Sequence, residues 1–219
     1  MERIQEAYEA GAREFGENRV QELLTKQPYL PPDIRWHFVG HLQTNKVRSL
    51  LDCRGAEGRP PVIHSLDRMA LAEEIQKQAE KGNLEVEALI QVNTSGEATK
   101  AGFDPGVLVG AGSGRPQGEA TSPLQTILQF NRIQIRGLMT IGPTPIGGAG
   151  QDQIRSCFRR LRLLRDSFPE FVGAGSPRPQ GAATAPLHLS MGMSSDFEIA
   201  VEEGATLLRI GTAVFGQRA

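Results

Sequence analysis

Long apolar runs are missing from this chain, and none approaches the roughly 20 residues that a membrane-crossing helix needs. The opening residues, Met1 to Ala7, hold no apolar segment of signal-peptide length. Cysteine is scarce. Cys53 and Cys157 are the only two, with neither metal-type spacing nor a disulfide framework, so both read as thiols of a reducing compartment. An excess of either charge is absent as well. With 24 basic against 25 acidic residues the net charge is −1, which gives no electrostatic steering toward nucleic acid or an anionic membrane. Lysine itself is rare, confined to Lys26, Lys46, Lys77, Lys81 and Lys100. A soluble, cytoplasmic protein with no nucleic-acid or membrane partner is expected.

What is present is alternation. The 219 residues suffice for one α/β domain with a full core and are short for two, so a single domain over 1–219 is expected. A helix opens the chain, with Ile4, Ala7, Tyr8 and Ala12 on one face and Gly11 near its end. Apolar strand candidates follow at Arg13–Phe15, Trp36–Val39, Val62–His64, Ala88–Val92, Ile135–Ile141, Leu187–Ser190 and Thr206–Ile210. Helical patterns lie between them. The clearest is Asp67–Lys81, with Asp67 as N-cap and Gly82 as stop. Arg155 to Arg165 interleaves with Ile154, Phe158, Leu161 and Leu164, which reads as the solvated face of an amphipathic helix rather than an RNA-binding patch.

Strands alternating with helices imply parallel βαβ units. Seven strand candidates in a helix-first order fit a (β/α)8 barrel, a TIM barrel, that lacks its first strand in this chain. A doubly wound open sheet is the competing fold. One segment recurs: Val109-Gly110-Ala111-Gly112-Ser113-Gly114-Arg115-Pro116-Gln117-Gly118 returns as Val172 to Gly181, and Thr121 to Leu124 returns as Thr184 to Leu187. The period of 63 residues and the Gly/Pro content do not suit a solenoid. Residues 109–125 and 172–186 are expected to be two copies of one insertion, disordered at the surface, where long loops cost little closure entropy.

Two turns carry the chemistry. Ser190-Met191-Gly192-Met193-Ser194 precedes Ser195-Asp196-Phe197-Glu198, which has the form of a capping box, and backbone N–H groups at such a helix start favour an anion. The next strand runs through Arg209 into Gly211-Thr212, where glycine allows close approach and threonine offers both N–H and hydroxyl. In barrels, phosphate sites recur after the last two strands. Arg209 alternates with apolar neighbours and so points inward, which is costly without a ligand or carboxylate. His37 faces opposite to Trp36 and Phe38, and Asn18 lies beyond Phe15-Gly16-Glu17 near the same mouth.

The motifs Phe15–Glu22 (FGENRVQE), Trp36–Lys46 (WHFVGHLQTNK), Arg136–Ile141 (RGLMTI), Ser190–Thr206 (SMGMSSDFEIAVEEGAT) and Arg209–Gly216 (RIGTAVFG) resemble the pyridoxal-phosphate homeostasis protein family, also called YggS or PROSC. The resemblance covers nearly the whole chain outside the two repeats. It implies a barrel of the alanine-racemase N-terminal-domain type that holds pyridoxal 5′-phosphate (PLP) at its C-terminal mouth. Such a protein would buffer and deliver the cofactor as a monomer, with transient contact to PLP-requiring apoenzymes and no robust catalysis. By motif match, Ser190, Gly192, Gly211 and Thr212 would hold the phosphate and Arg209 would face the pyridine nitrogen. Asn18, His37 and Met139 would lie around the ring. The family's Schiff-base lysine sits on a first strand, upstream of the opening helix, and none of the five lysines matches its motif; a misassigned start or a truncation is expected. Two other readings remain open: a PLP-dependent racemase or decarboxylase, for which the seven residues after Thr212 leave no second domain, and a phosphosugar isomerase or lyase using Glu17 and Asp67.

Overall fold

Seven short parallel strands, each hydrogen-bonded to the next in chain order, organise the molecule. The coordinates are a computed structural model, which describes residues 1–110, 121–143, 150–167 and 187–217. The strands are β1 (Glu14–Glu17), β2 (Arg35–Phe38), β3 (Val62–Leu66), β4 (Val86–Gln91), β5 (Ile133–Met139), β6 (His188–Met193) and β7 (Leu207–Arg209). A doubly wound sheet reverses its strand order at a switch point. No reversal occurs here, so the open-sheet alternative fails and a nearly closed barrel stands. Among the described residues no pairing joins β1 to β7.

The helices are α1 (Glu2–Glu9), α2 (Val20–Lys26), α3 (Val47–Asp52), α4 (Met69–Gly82), α5 (Pro105–Leu108), α6 (Pro123–Leu128), α7 (Gln151–Asp166), α8 (Phe197–Glu202) and α9 (Thr212–Phe215). Outward strand residues such as Phe15, Trp36, Phe38, Ile63, Ala88 and Leu189 pack with Leu23, Leu50, Ile75 and Phe158 of the helices into one continuous core. A separate small cluster, Val62, Leu89 and Met139 with Ile141 and Leu207, occupies the inside of the barrel.

Three local expectations change. Helix α4 starts after Arg68, because Asp67 turns its carboxylate to Arg68 (2.5 Å) and His41 (3.0 Å) instead of capping. It continues through Gly82, and Asn83, at φ +48°, supplies the left-handed stop. The capping box at Ser195–Glu198 does not form: the Asp196 carboxylate accepts from the Met193 N–H at 2.6 Å, and α8 has no side-chain cap. A capping box forms instead between Ser122 and Gln125, at the end of the first repeated segment. Residues 111–120 of that segment, and all of 172–186, lie outside the described residues. Helix α7 buries Phe158 and Leu161 as its spacing predicts. Its arginines are not simply solvated: Arg155, Arg159 and Arg162 all reach the carboxylate of Glu203, at 3.4, 3.2 and 3.1 Å.

Candidate functional site at the barrel mouth

In a parallel barrel, one end of the lumen collects the C-terminal ends of every strand, and binding groups gather there. Alternation along β7 turns Arg209 inward as expected. Its Nη1 donates to Ser190 Oγ on β6 (2.8 Å) and its Nη2 to the carbonyl of Thr140, just past β5 (2.8 Å). Burial pulls its pKa down to about 10, against the opposing pull of Asp196. Among the described residues no carboxylate comes within ion-pair distance of it. A half-buried guanidinium held by neutral oxygens alone retains capacity to donate to an anion.

Ser190 is not in a turn. Strand β6 runs on to Met193, so Ser190 is fully buried within the strand, and its hydroxyl is engaged by Arg209 and by His64 Nδ1 at 2.9 Å. His64 on β3 reaches His37 on β2, Nε2 to Nδ1, at 2.8 Å. Burial holds the pKa of His64 down at about 2 and that of His37 at about 4. Met139 is the register partner of Ser190 and lies buried in the lumenal cluster beside them. Ser190, Arg209, His37 and Met139 are thus brought together.

The second turn has a different key residue. Ser194 Oγ accepts from the N–H groups of Gly211 (3.3 Å) and Ala213 (3.2 Å), so two backbone donors at the start of α9 converge on one oxygen. Nothing lies within 4 Å of where a Gly211 side chain would begin, and Thr212 is exposed beside it. Gly192 serves packing: at φ +92°, an added Cβ would meet Ala200 Cβ of α8 at 2.6 Å. Asn18 is exposed past the end of β1, and its backbone abuts Gly40 so closely that a Cβ there would meet Asn18 O at 2.0 Å. Neither His64 nor Ser194 stands out from sequence alone. The signal for His64 was a histidine in a strand, Val62–Leu66, whose residues are all buried.

Elsewhere the carboxylates are engaged. Glu17 pairs with Lys26 at 2.5 Å, and Asp67 with His41 and Arg68. Among the described residues no group of three His, Cys, Asp or Glu is placed to hold a metal ion, and no helix is long and apolar enough to cross a membrane.

A family model described as alanine racemase, N-terminal domain, matches residues 1–219. The pyridoxal phosphate homeostasis protein of Aquifex aeolicus is 43% identical over 216 residues, which cover 98% of this chain and 81% of that protein. The chain belongs to the pyridoxal phosphate homeostasis protein family. PipY of Synechococcus elongatus PCC7942, solved without PLP, superposes with a TM-score of 0.78 at 37% identity, covering 98% of this chain and 87% of that one. The same protein with PLP bound gives 0.75 at 36%, covering 97% and 86%. Within this family the barrel fold read from the sequence is secure.

Proposed function

We propose that this chain binds pyridoxal 5′-phosphate at the barrel mouth and serves its homeostasis by holding and releasing it, without turning over a substrate. The observation that carries this reading is the half-buried Arg209 guanidinium, which has no ion-pair partner among the described residues and lies on the strand that feeds two converging N–H groups. The PLP-bound PipY structure supports it.

The donor set suits the cofactor. The N–H groups of Gly211 and Ala213 are positioned for a phosphate oxygen, with the hydroxyls of Ser194 and Thr212 beside them. Ser194, rather than the buried Ser190, is the serine available to the phosphate. Arg209 would face the pyridine nitrogen, with His37 and Met139 about the ring and Asn18 at the rim. When bound, PLP supplies an aldehyde and an electron-withdrawing ring.

The lysines decide how it is held. Lys26 is tied to Glu17 and Glu22, and Lys100 donates to the Gly142 carbonyl and pairs with Glu97 at 3.4 Å. Burial lowers the pKa of Lys26, but the two carboxylates outweigh it and leave the ammonium more firmly charged, which is wrong for an imine. Lys46 sits in the turn Thr44–Lys46, and Lys77 and Lys81 lie on α4. This sequence should therefore bind PLP without a covalent bond.

Equilibrium dialysis with PLP, followed by borohydride treatment and intact mass measurement, tests both parts. Saturable binding that dialyses away and leaves no reduced adduct is expected. No saturable binding would sink the reading, and a lysine adduct would sink its non-covalent part.

A further inference from the structure

Strands β2 and β3 lie side by side, and just past their C-terminal ends His41 Nδ1 meets Asp67 Oδ2 at 3.0 Å. The pair therefore stands at the rim of the barrel mouth. Arg68 Nη1 donates to the other carboxylate oxygen of Asp67 at 2.5 Å. A carboxylate only accepts, so the proton between the two residues sits on His41 Nδ1. That leaves His41 Nε2 as a lone-pair acceptor. It makes no hydrogen bond among the described residues, and the His41 side chain is 57% exposed where that of Asp67 is 3% exposed.

The backbone on both sides of His41 is pinned. Gly40 abuts Asn18 so closely that no side chain fits there, which sets His41 next to a rim residue of the proposed cofactor site. Leu42 is fully buried, and its carbonyl accepts from Arg68 Nη2 at 2.9 Å. Arg68 thus fixes both the carboxylate and the loop that carries the imidazole. A carboxylate on Nδ1 with Nε2 left free is the arrangement that holds an imidazole ready to take a proton. Other acceptors at this end are engaged or buried: Glu17 pairs with Lys26, Asp196 accepts from the Met193 N–H, and His64 is 2% exposed within the lumen.

We infer that His41 is a proton acceptor at the mouth for a primary amine, which arrives as an ammonium ion and must lose a proton before it can react with an aldehyde. This rests on the PLP-binding reading, which supplies the aldehyde and requires a route of release. An ammonium N–H bond breaks and its proton passes to His41 Nε2. The electron pair stays on the amine nitrogen, which becomes the nucleophile. Asp67 faces the resulting imidazolium through Nδ1–H, and water afterwards takes the proton from Nε2. His41 speeds hand-over of the cofactor and does not hold it. Asp67 and Arg68 touch no ligand and are positioning residues.

The first test needs no cofactor. Long-range nitrogen–proton NMR of the free protein at alkaline pH should find neutral His41 as its Nδ1–H tautomer. The Nε2–H tautomer overturns the proposal, whether or not PLP binds. The second test mixes PLP-loaded protein with excess glycine or Nα-acetyl-lysine and follows the reaction by absorbance. His41→Ala should slow it about a hundredfold, as expected for loss of a general base, with PLP affinity unchanged. Added imidazole should restore much of the lost rate. His41→Gln still offers Asp67 a donor but has no basic nitrogen, and should be as slow as His41→Ala. Native rates in both variants, with only the urea midpoint lowered, would make the pair a clip between loops and overturn the proposal. Slowing with glycine alone names a free amino acid as the amine, and slowing with Nα-acetyl-lysine alone names a protein lysine. The Nδ1–H tautomer together with no PLP binding would leave the oriented acceptor standing and remove the cofactor reading alone.

Discussion

The two faces of the same seven strands are built on opposite terms. Outward, Phe15, Trp36, Phe38, Ile63, Ala88, Leu138 and Leu189 join helix residues in a single apolar layer. Inward, only Val62, Leu89 and Met139 form an apolar floor. On one side of that floor, near the strand starts, Glu87 on β4 holds Arg35 of β2 and Arg136 of β5, the latter at 2.9 Å. The line from Arg209 to His37 crosses the lumen at the level of that floor, with Met139 the register partner of Ser190 and Val62 that of His37. A barrel of this kind ordinarily fills its interior with branched aliphatic side chains. Buried polar groups cost stability unless every one is partnered. The outer layer therefore holds the fold, and the lumen carries the buried polar groups, among them the unpartnered His37 Nε2.

Breaking the outer layer should have the largest effect. Phe158 is fully buried where α7 meets the barrel, and Phe158→Ala should lower the unfolding free energy by about 3–5 kcal/mol in urea titration. Its effect on ligand affinity, measured where the variant is still folded, should be small. A mild stability change with a large loss of affinity would undo the division between the faces.

Acid should act on the lumen. His37 and His64 have folded pKa values held below the unfolded one by burial, so the unfolded chain takes up protons that the native state refuses. Their contribution is complete above about pH 6.5 and falls as pH drops toward the folded values, by about 1.4 kcal/mol per pH unit for each histidine. Urea midpoints between pH 7 and 5 measure this, and His64→Gln should remove about half of the slope. An unchanged slope would mean that His64 is protonated in the fold.

Arg209→Met is the sharpest contrast to Phe158→Ala. On the proposed PLP-binding reading it removes a charge-assisted contact to ligand of about 1.5–3 kcal/mol, so PLP affinity should fall at least about tenfold. Stability should change much less, because a half-buried charge with no ion-pair partner among the described residues leaves with it. The smallest effect is expected at Glu203, whose 3%-exposed side chain ties α8 to three partly exposed arginines of α7. Burial raises its pKa, but the arginines outweigh that and leave it lowered. Glu203→Gln should destabilise by about 1 kcal/mol at low salt, shrinking as ionic strength rises, since solvent screens the exposed partners.

Much of this was legible beforehand. All seven strands lie where short apolar runs mark them, and alternation alone turned Arg209 inward. Local signals failed where side chains found other partners: Asp67 left its cap for His41 and Arg68, and the Ser195–Glu198 box gave way to Asp196, whose carboxylate accepts from the Met193 N–H. Ser190 lies inside a strand rather than in a turn, because local sequence could not show that β6 continues past it.

Periodicity in the chain was enough to mark parallel βαβ units, because burying one face of each element depends only on residue spacing. That Ser194 accepts from the Gly211 and Ala213 N–H groups, and that two histidines 27 residues apart share a hydrogen-bonded line with Arg209, only the folded barrel decided. Hydrogen bonds depend on distances of a few tenths of an ångström between strands remote in sequence, and no local pattern encodes them.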